Sequence, residues 1–208
     1  MKRVFDFSLA LIGLFISMPL WFLFAWAIFI EDGWPIFYTQ ERVGKYGKIF
    51  NGWKFRSMIK DAEKGLGAVQ AKENDPRVTE VGRFLRKTAM DELPQLLNIA
   101  KGDMSFVGPR ALRPKEIENK QQGGSHPDAA LFDLRNKVRP GLTGVAQVFA
   151  PRDIPRSQKL KYDLWYIDNQ SFLLDIKLIL SSFWITLNKK WDTSRRDFIE
   201  IGDSFFNS

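Results

Sequence analysis

The chain has 208 residues, a formal net charge of +7, no cysteine and a single histidine. A cysteine-free chain has no disulfide framework, no thiolate nucleophile and no Cys-ligated zinc, and His126, in the polar stretch QQGGSHPD, reads as a solvated loop residue rather than a triad or metal ligand. The basic balance points to an anionic partner, and 18 Phe with 7 Trp suit a chain at a lipid–water boundary.

From residue 7 to residue 30 no side chain is charged, a run long enough to span a bilayer as a helix. Lys2 and Arg3 precede it, and Ala25-Trp26-Ala27 imitates a signal cleavage site, but the run is too long and too bulky for a signal peptide. Pro19 sits in mid-run and removes a backbone hydrogen bond. Arg42, Lys45 and Lys48 follow the segment, so the positive-inside rule places both flanks on the cytoplasmic side. A proline-kinked spanning helix and a re-entrant hairpin broken at Ser17-Met18-Pro19 both stay open. In the hairpin the Ser17 hydroxyl satisfies a carbonyl freed by the break.

Beyond the anchor, Ile36-Phe37-Tyr38 reads as a short strand. Gly44 and Gly47 mark a turn between two strands within 40–58, made basic by Lys45, Lys48, Lys54 and Arg56. That strip is either a lysine-protected sheet edge or a phosphate- or lipid-facing surface. Residues 61–74 read as an exposed, mobile polar segment. Residues 78–87 have helical spacing, with Val81, Phe84 and Leu85 opposite Arg83, Arg86 and Lys87.

The stretch RKTAMDELPQLLNIAKGDMSFVGPR, 86–110, combines paired acids, bases and a tight turn. Thr88 followed by Asp91 fits a capping box, and Pro94 suits the first turn of a helix over 95–99. Asp91 and Glu92 then lie at a helix N-terminus, where the dipole favours ionised carboxylates. They are either ordinary N-terminal acids or a phosphate-handling pair, and the Gly108-Pro109-Arg110 turn favours the second. Residues 111–133 read as helix then loop. Arg139 begins a second Arg-bearing turn, RPGLTG, before a short strand over 145–149. Pro151 and Pro155 bracket a basic loop with Arg152 and Arg156. Helices are expected over 159–167 and 172–187. In the second, Leu173, Ile176, Leu180, Phe183, Trp184 and Leu187 recur at helical spacing, while Asp175 and Lys177 make it too polar to span a membrane. It is a core helix or an interfacial one, and Lys189-Lys190-Trp191 suits the interfacial version.

The stretches QERVGKYGKIF, KFRSM, DPRVTEVGRFLRKTAMDELPQLLNIAKGDMSFVGPR, KVRPGLTGVAQV and KLKYDLWYIDNQSFLLDIKLIL resemble, in order over 40–180, the bacterial sugar transferases that are small monotopic phosphoglycosyl transferases. The apolar N-terminal segment with its central proline is similar too. The resemblance implies transfer of a phospho-sugar from a UDP-sugar to polyprenyl phosphate, usually undecaprenyl phosphate, with release of UMP and a need for Mg²⁺. By position, Asp91 is the nucleophile, Glu92 the Mg²⁺ ligand, and Lys54, Arg86, Arg110 and Arg139 hold phosphate. The family's re-entrant helix breaks at a Ser-Pro pair; here Met18 separates Ser17 from Pro19. Its Pro-Arg-Pro turn is Pro109-Arg110-Ala111 in this chain.

The expected fold is α+β and mainly helical: a re-entrant anchor over 1–32, a catalytic domain over 33–191 with short strands and interfacial amphipathic helices, and a peripheral tail over 192–208. The expected partners are the UDP-sugar, polyprenyl phosphate and membrane lipid, on the cytoplasmic face of the bacterial inner membrane. A non-catalytic basic scaffold or nucleic-acid binder is the competing class, but no nucleic-acid motif is present, and no nucleic-acid partner is expected. Within the enzyme class, an alternative has both carboxylates serve the metal while the lipid phosphate attacks directly.

Overall fold

The structure, a computed structural model, describes residues 1–62, 75–114, 129–151 and 154–187. Most of the 61–74 and 111–133 segments, His126, Arg152, the Lys189-Lys190-Trp191 cluster and the 192–208 tail lie outside the described residues. What is described is mostly helical with a few short strands, as expected.

Helix α1 (Lys2–Asp32) is continuous across Ser17-Met18-Pro19, with Pro19 inside it. Its length and composition suffice to cross a membrane. Pro19 leaves the Phe15 carbonyl without its intrahelical donor. The Ser17 hydroxyl does not fill that gap. It donates instead to the Leu14 carbonyl oxygen at 3.4 Å and accepts from Trp21 Nε1 at 3.1 Å. One face of α1 packs on the domain. Ala10 joins a core cluster with Leu96, Ile99 and Met104, and Phe24 and Ile28 join another with Phe55 and Leu85. Leu11, Phe15, Met18, Phe22, Trp26 and Phe29, at steps of three and four, form an exposed apolar stripe on the other face.

Strands β1 (Phe37–Val43) and β2 (Ile49–Phe55) form an antiparallel hairpin around a tight turn at Lys45–Gly47, running from Phe37↔Phe55 to Val43↔Ile49. β1 is longer than the strand read at Ile36-Phe37-Tyr38, because Gln40 and Arg42 continue its alternation. Helix α2 (Glu80–Lys87) is capped by the Thr79 hydroxyl, which accepts from the Gly82 N–H at 3.0 Å. The Glu31 carboxylate of α1 takes the Glu80 and Val81 N–H groups at 2.6 and 3.0 Å.

Two local expectations are corrected. Thr88 starts no capping box: it ends α2, donating its hydroxyl to the Phe84 carbonyl oxygen at 2.9 Å, and the left-handed Ala89 (φ 55°) then turns the chain. The 145–149 stretch is not a strand but helix α5 (Val145–Phe149), because Val145, Val148 and Phe149 meet the core at helical spacing. Helix α3 (Gln95–Lys101) follows Pro94 as expected.

Strands β3 (Ser105–Val107) and β4 (Gly141–Thr143) pair in parallel, with helix α4 (Ala129–Arg135) between them in sequence. This pairing brings the two Arg-bearing turns side by side. Gly108 N–H donates to the Thr143 carbonyl oxygen and Gly141 N–H to that of Pro109, each at 2.9 Å. A Cβ on Gly141 would lie 2.1 Å from Gly108 N, so only glycine permits this approach.

Helices α6 (Arg156–Asp168) and α7 (Phe172–Leu187) complete the described fold. Leu174, Leu178 and Ile185 of α7 are buried, whereas Leu173, Leu180, Phe183, Trp184 and Leu187 are exposed. The stripe legible in the sequence is therefore mainly the outward one. Phe5 of α1 meets Phe172 of α7 edge to face, with centroids 5.0 Å apart, so the ends of the two apolar helices adjoin.

Candidate active site

The pleat of β2 turns Phe50, Gly52 and Lys54 to one side. On the facing segment, the Ala89 turn leads into a single 3₁₀ turn, Met90–Glu92, bearing the two acids. Lys54 Nζ lies 2.5 Å from Glu92 Oε1 and 3.5 Å from Asp91 Oδ2, and Arg110 Nη2 lies 3.7 Å from the same Glu92 oxygen. Lys54, Asp91, Glu92 and Arg110 thus meet.

The two carboxylates differ in environment. Burial raises the pKa of Asp91; the Glu92 charge adds to the rise, while Lys54 and then Arg86 oppose it. Glu92 feels burial as its largest single influence, yet Lys54, Arg110 and Arg42 together outweigh it and hold the carboxyl down at about 2. Arg86 therefore acts on Asp91 through its charge. Arg139 lies elsewhere: its Nε donates to the Gly102 carbonyl oxygen at 2.8 Å, at the far end of α3. Ser17 and Pro19 belong to α1 and do not line the cleft.

A shallow, open cleft adjoins Glu92, bordered by Lys54, Glu92 and Arg110, with Gln40, Arg42 and Gln95 alongside. Sequence reasoning missed the last three as site residues. The period-two alternation of β1 was the available signal, since Gln40 pairs with Gly52 and Tyr38 with Lys54. Arg42 donates to the Ala111 carbonyl oxygen at 3.0 Å and to Gln40 Oε1 at 2.7 Å, tying β1 to the Arg110 turn.

Other buried groups hold these parts in register. Asn98 of α3 accepts from Trp53 N at 3.0 Å and donates to the Asn51 carbonyl oxygen at 2.8 Å, fixing the strand that carries Lys54. Arg135, buried and paired with Asp163 at 2.7 Å, also donates to the Arg110 carbonyl oxygen. Burial raises the Asp163 pKa and Arg135 opposes that rise. Among the other cations of the hairpin, Arg56 is buried against Asp32 at 2.9 Å, whereas Lys48 is exposed.

Chemically, the group offers one strongly ionised carboxylate, one buried and more basic carboxylate, and fixed cations for a bound anion. Among the described residues no cluster of three or more His, Cys, Asp or Glu could hold a metal. The donor set suits Mg²⁺, which takes one or two carboxylates and completes its shell with water and substrate phosphate.

The family model for the bacterial sugar transferases matches residues 1–189. Over 203 residues the chain is 36% identical to the undecaprenyl-phosphate galactose phosphotransferase of Salmonella typhimurium, covering 91% of this chain and 41% of that protein. It is 36% identical over 195 residues to the exopolysaccharide production protein ExoY of Rhizobium meliloti, covering 87% and 83%. To the UDP-glucose:undecaprenyl-phosphate glucose-1-phosphate transferase of Escherichia coli it is 39% identical over 184 residues, covering 86% and 38%. The chain spans about two fifths of the length of the Salmonella and Escherichia relatives. With a match reaching from residue 1, ahead of α1, past the end of α7, the chain belongs to the bacterial sugar transferase family.

Proposed function

We propose that this chain transfers a sugar 1-phosphate from a UDP-sugar to polyprenyl phosphate, undecaprenyl phosphate in bacteria, and releases UMP, as the first membrane step of a glycan pathway. The observation that carries this reading is Lys54 set between Asp91 and Glu92, with Arg110 facing Glu92 in the same cleft. A carboxylate attacking a diphosphate meets like-charge repulsion, and fixed cations in a partly desolvated site offset it.

Asp91 attacks the phosphorus that bears the sugar. The bond from that phosphorus to the UMP oxygen breaks, UMP leaves with the electron pair, and the sugar phosphate stays on Asp91 as an acyl phosphate. An oxygen of polyprenyl phosphate then attacks the same phosphorus, and the Asp91 carboxylate is released. Burial makes the Asp91 carboxylate more basic and hence a better nucleophile, while Lys54 and Arg86 favour its ionised form. Arg110 and Lys54 hold the phosphates of the donor. Glu92 would hold Mg²⁺ together with substrate phosphate. When bound, the ion supplies further charge neutralisation at the transferring group.

The lipid acceptor calls for a membrane surface, and α1 and α7 supply apolar ones. Both ends of α1 are tied to the same domain: Lys2 to Asp175 and Arg3 to the Ile99 carbonyl oxygen at one end, Glu31 to α2 and Asp32 to Arg56 at the other. A spanning helix would carry one end away from the domain. This supports re-entrant, monotopic insertion with the catalytic domain on the cytoplasmic face of the inner membrane, where UDP-sugars are available.

The test is UMP release by detergent-extracted full-length protein with Mg²⁺ and undecaprenyl phosphate across a panel of UDP-sugars. Release is expected with one or a few donors and is abolished in Asp91→Asn, which remains folded and membrane-bound. Full activity in Asp91→Asn would remove the nucleophile assignment, and ping-pong kinetics would distinguish the covalent route from direct attack.

A further inference from the structure

The Arg110 guanidinium is loosely held. Its side chain is 57% exposed and reaches Glu92 only at 3.7 Å. A long side chain so placed keeps much of its rotamer freedom, so where it points is set mainly by its backbone. That backbone is fixed on both sides. Ahead of Arg110 lies the close approach of Gly108 to Gly141. From Arg110 onward three successive carbonyl oxygens are taken. That of Arg110 accepts from Arg135 Nη2, that of Ala111 from Arg42 Nη1 at 3.0 Å, and that of Leu112 from the Val43 N–H at 2.8 Å. Two of these donors come from β1 and the first comes from α4.

Arg135 differs from the other two donors in being a buried charge. It is 3% exposed and pairs through Nε with the buried Asp163 of α6 at 2.7 Å. Adhesion of α4 to α6 does not require this pair, because Leu112, Phe132 and Leu160 already form an apolar cluster there with Leu131 and Leu164 against it. Desolvating two ions costs about as much as their attraction returns, so such a pair adds little stability over apolar side chains. What apolar side chains lack is a donor for the Arg110 carbonyl. The rigid fork of an arginine supplies it, with Nε on the carboxylate and Nη2 on the carbonyl. Asp163 has a second effect. Burial opposes its ionisation, while the charges of Arg135 and then Arg110 favour it. The carboxylate thus stands in the field of both guanidiniums and offsets their mutual repulsion.

We infer that the buried Arg135–Asp163 pair is a positioning device for substrate binding: it fixes the backbone at Arg110 so that the Arg110 guanidinium stays at the cleft for the donor's diphosphate, an assignment that rests on the transferase reading. Three full-length variants are compared with wild type. Arg110→Ala removes the contacting cation. Arg135→Met with Asp163→Val replaces the pair by apolar side chains. Arg135→Lys keeps a charge for Asp163 but lacks the second arm. Each, and the last two combined with Arg110→Ala, is measured for UDP binding by calorimetry, for UMP release and for melting temperature. Arg110→Ala is expected to weaken UDP binding roughly 10- to 100-fold. Arg135→Lys and the apolar pair each weaken it roughly tenfold, by displacing Arg110, and kcat/KM for UMP release falls in parallel. In the Arg110→Ala background each costs less than about twofold further. The melting temperature of the apolar pair stays within about 4 °C of wild type. Full UDP affinity in Arg135→Lys and the apolar pair, or losses that add to that of Arg110→Ala, would overturn the inference, as would full UDP affinity in Arg110→Ala. Unfolding of the apolar pair beside an Arg135→Lys of wild-type affinity would overturn it too, leaving a pair that only holds the fold together. Absence of both UDP binding and UMP release in wild type would instead bring down the transferase reading, and this assignment with it.

Discussion

Replacing Lys54 by Met removes one charge and leaves the aliphatic stem that packs along β2. Glu92 loses the strongest of the three cations acting on it, and Asp91 loses its nearest partner. The Glu92 carboxyl falls from 4.5 to about 2 in the folded protein, worth about 3 kcal/mol at 1.36 kcal/mol for each tenfold change in acidity. Because the folded pKa is depressed, this stability is fully present above pH 4.5 and drains away as the pH falls towards 2. Most of it depends on Lys54, so the variant is expected to be about 2–3 kcal/mol less stable at pH 7, a fall of roughly 5–10 °C in melting temperature. At pH 3 the difference shrinks to about 1 kcal/mol, since the unfolded chain is by then protonated at Glu92. The assay is thermal unfolding of both proteins in the same detergent at pH 7 and pH 3. An equal displacement at the two pH values would refute the electrostatic account and leave Lys54 as a packing residue.

The acid limb of the rate is expected above the ordinary Asp value of 3.8, because burial raises Asp91 and its protonation removes the nucleophile; a pH profile of UMP release in wild type checks this. Asn98→Leu keeps the volume but strands the Trp53 N–H and the Asn51 carbonyl, costing about 2–5 kcal/mol and lowering kcat by displacing Lys54, as read by denaturant unfolding and initial rates. Gly141→Ala drives a methyl into the Gly108 backbone and costs about 3 kcal/mol or more, with loss of activity as the Arg110 turn shifts, measurable by the same pair of assays. Asp6→Leu leaves the Ser105 hydroxyl and the Phe106 N–H unpaired and costs about 2–4 kcal/mol in the same unfolding assay.

The elements that sequence patterning located are those governed by local rules. Gly44 and Gly47 announced the hairpin turn, the 78–87 periodicity announced α2, and α7 was bounded residue for residue. The failures lie where tertiary contact overrides local preference. The five residues of α5 are β-branched and aromatic in part, so they look like a strand. Their helical form comes from Val148 and Phe149 reaching Tyr166 and Leu178 across the core. Thr88 looked like a cap because hydroxyl-then-acid spacing says nothing about which helix the hydroxyl serves. The acid pair and Lys54 were legible through the family resemblance, whereas Arg42, Gln40 and Gln95 were not, since their membership of the cleft depends on how the hairpin lies over α3. Asn98 looked like any helix residue; its stitching of α3 to β2 is a contact 47 residues away in sequence.

Long-range contacts also bear on the relation between the apolar helix α1 and the candidate site, which the sequence presents as separate modules. Asp6 is 2% exposed within an apolar helix, and a carboxylate there is tolerable only if its oxygens are used. They are: one accepts from the Ser105 hydroxyl at 2.8 Å and the other from the Phe106 N–H at 3.1 Å. Lys2 reaches Asp175 at 2.5 Å, Asp175 accepts from the Tyr166 hydroxyl at 2.7 Å, and that hydroxyl lies 3.2 Å from the Val107 carbonyl oxygen. Every residue of β3 is thus held by the first turns of α1, Ser105 and Phe106 directly through Asp6 and Val107 through Asp175 and Tyr166. The next three residues are Gly108, Pro109 and Arg110, so the long apolar helix also sets the strand from which Arg110 faces Glu92. With Ala10, Phe24 and Ile28 in the core as well, α1 is a structural part of the fold and not a tether that could be exchanged for another apolar helix.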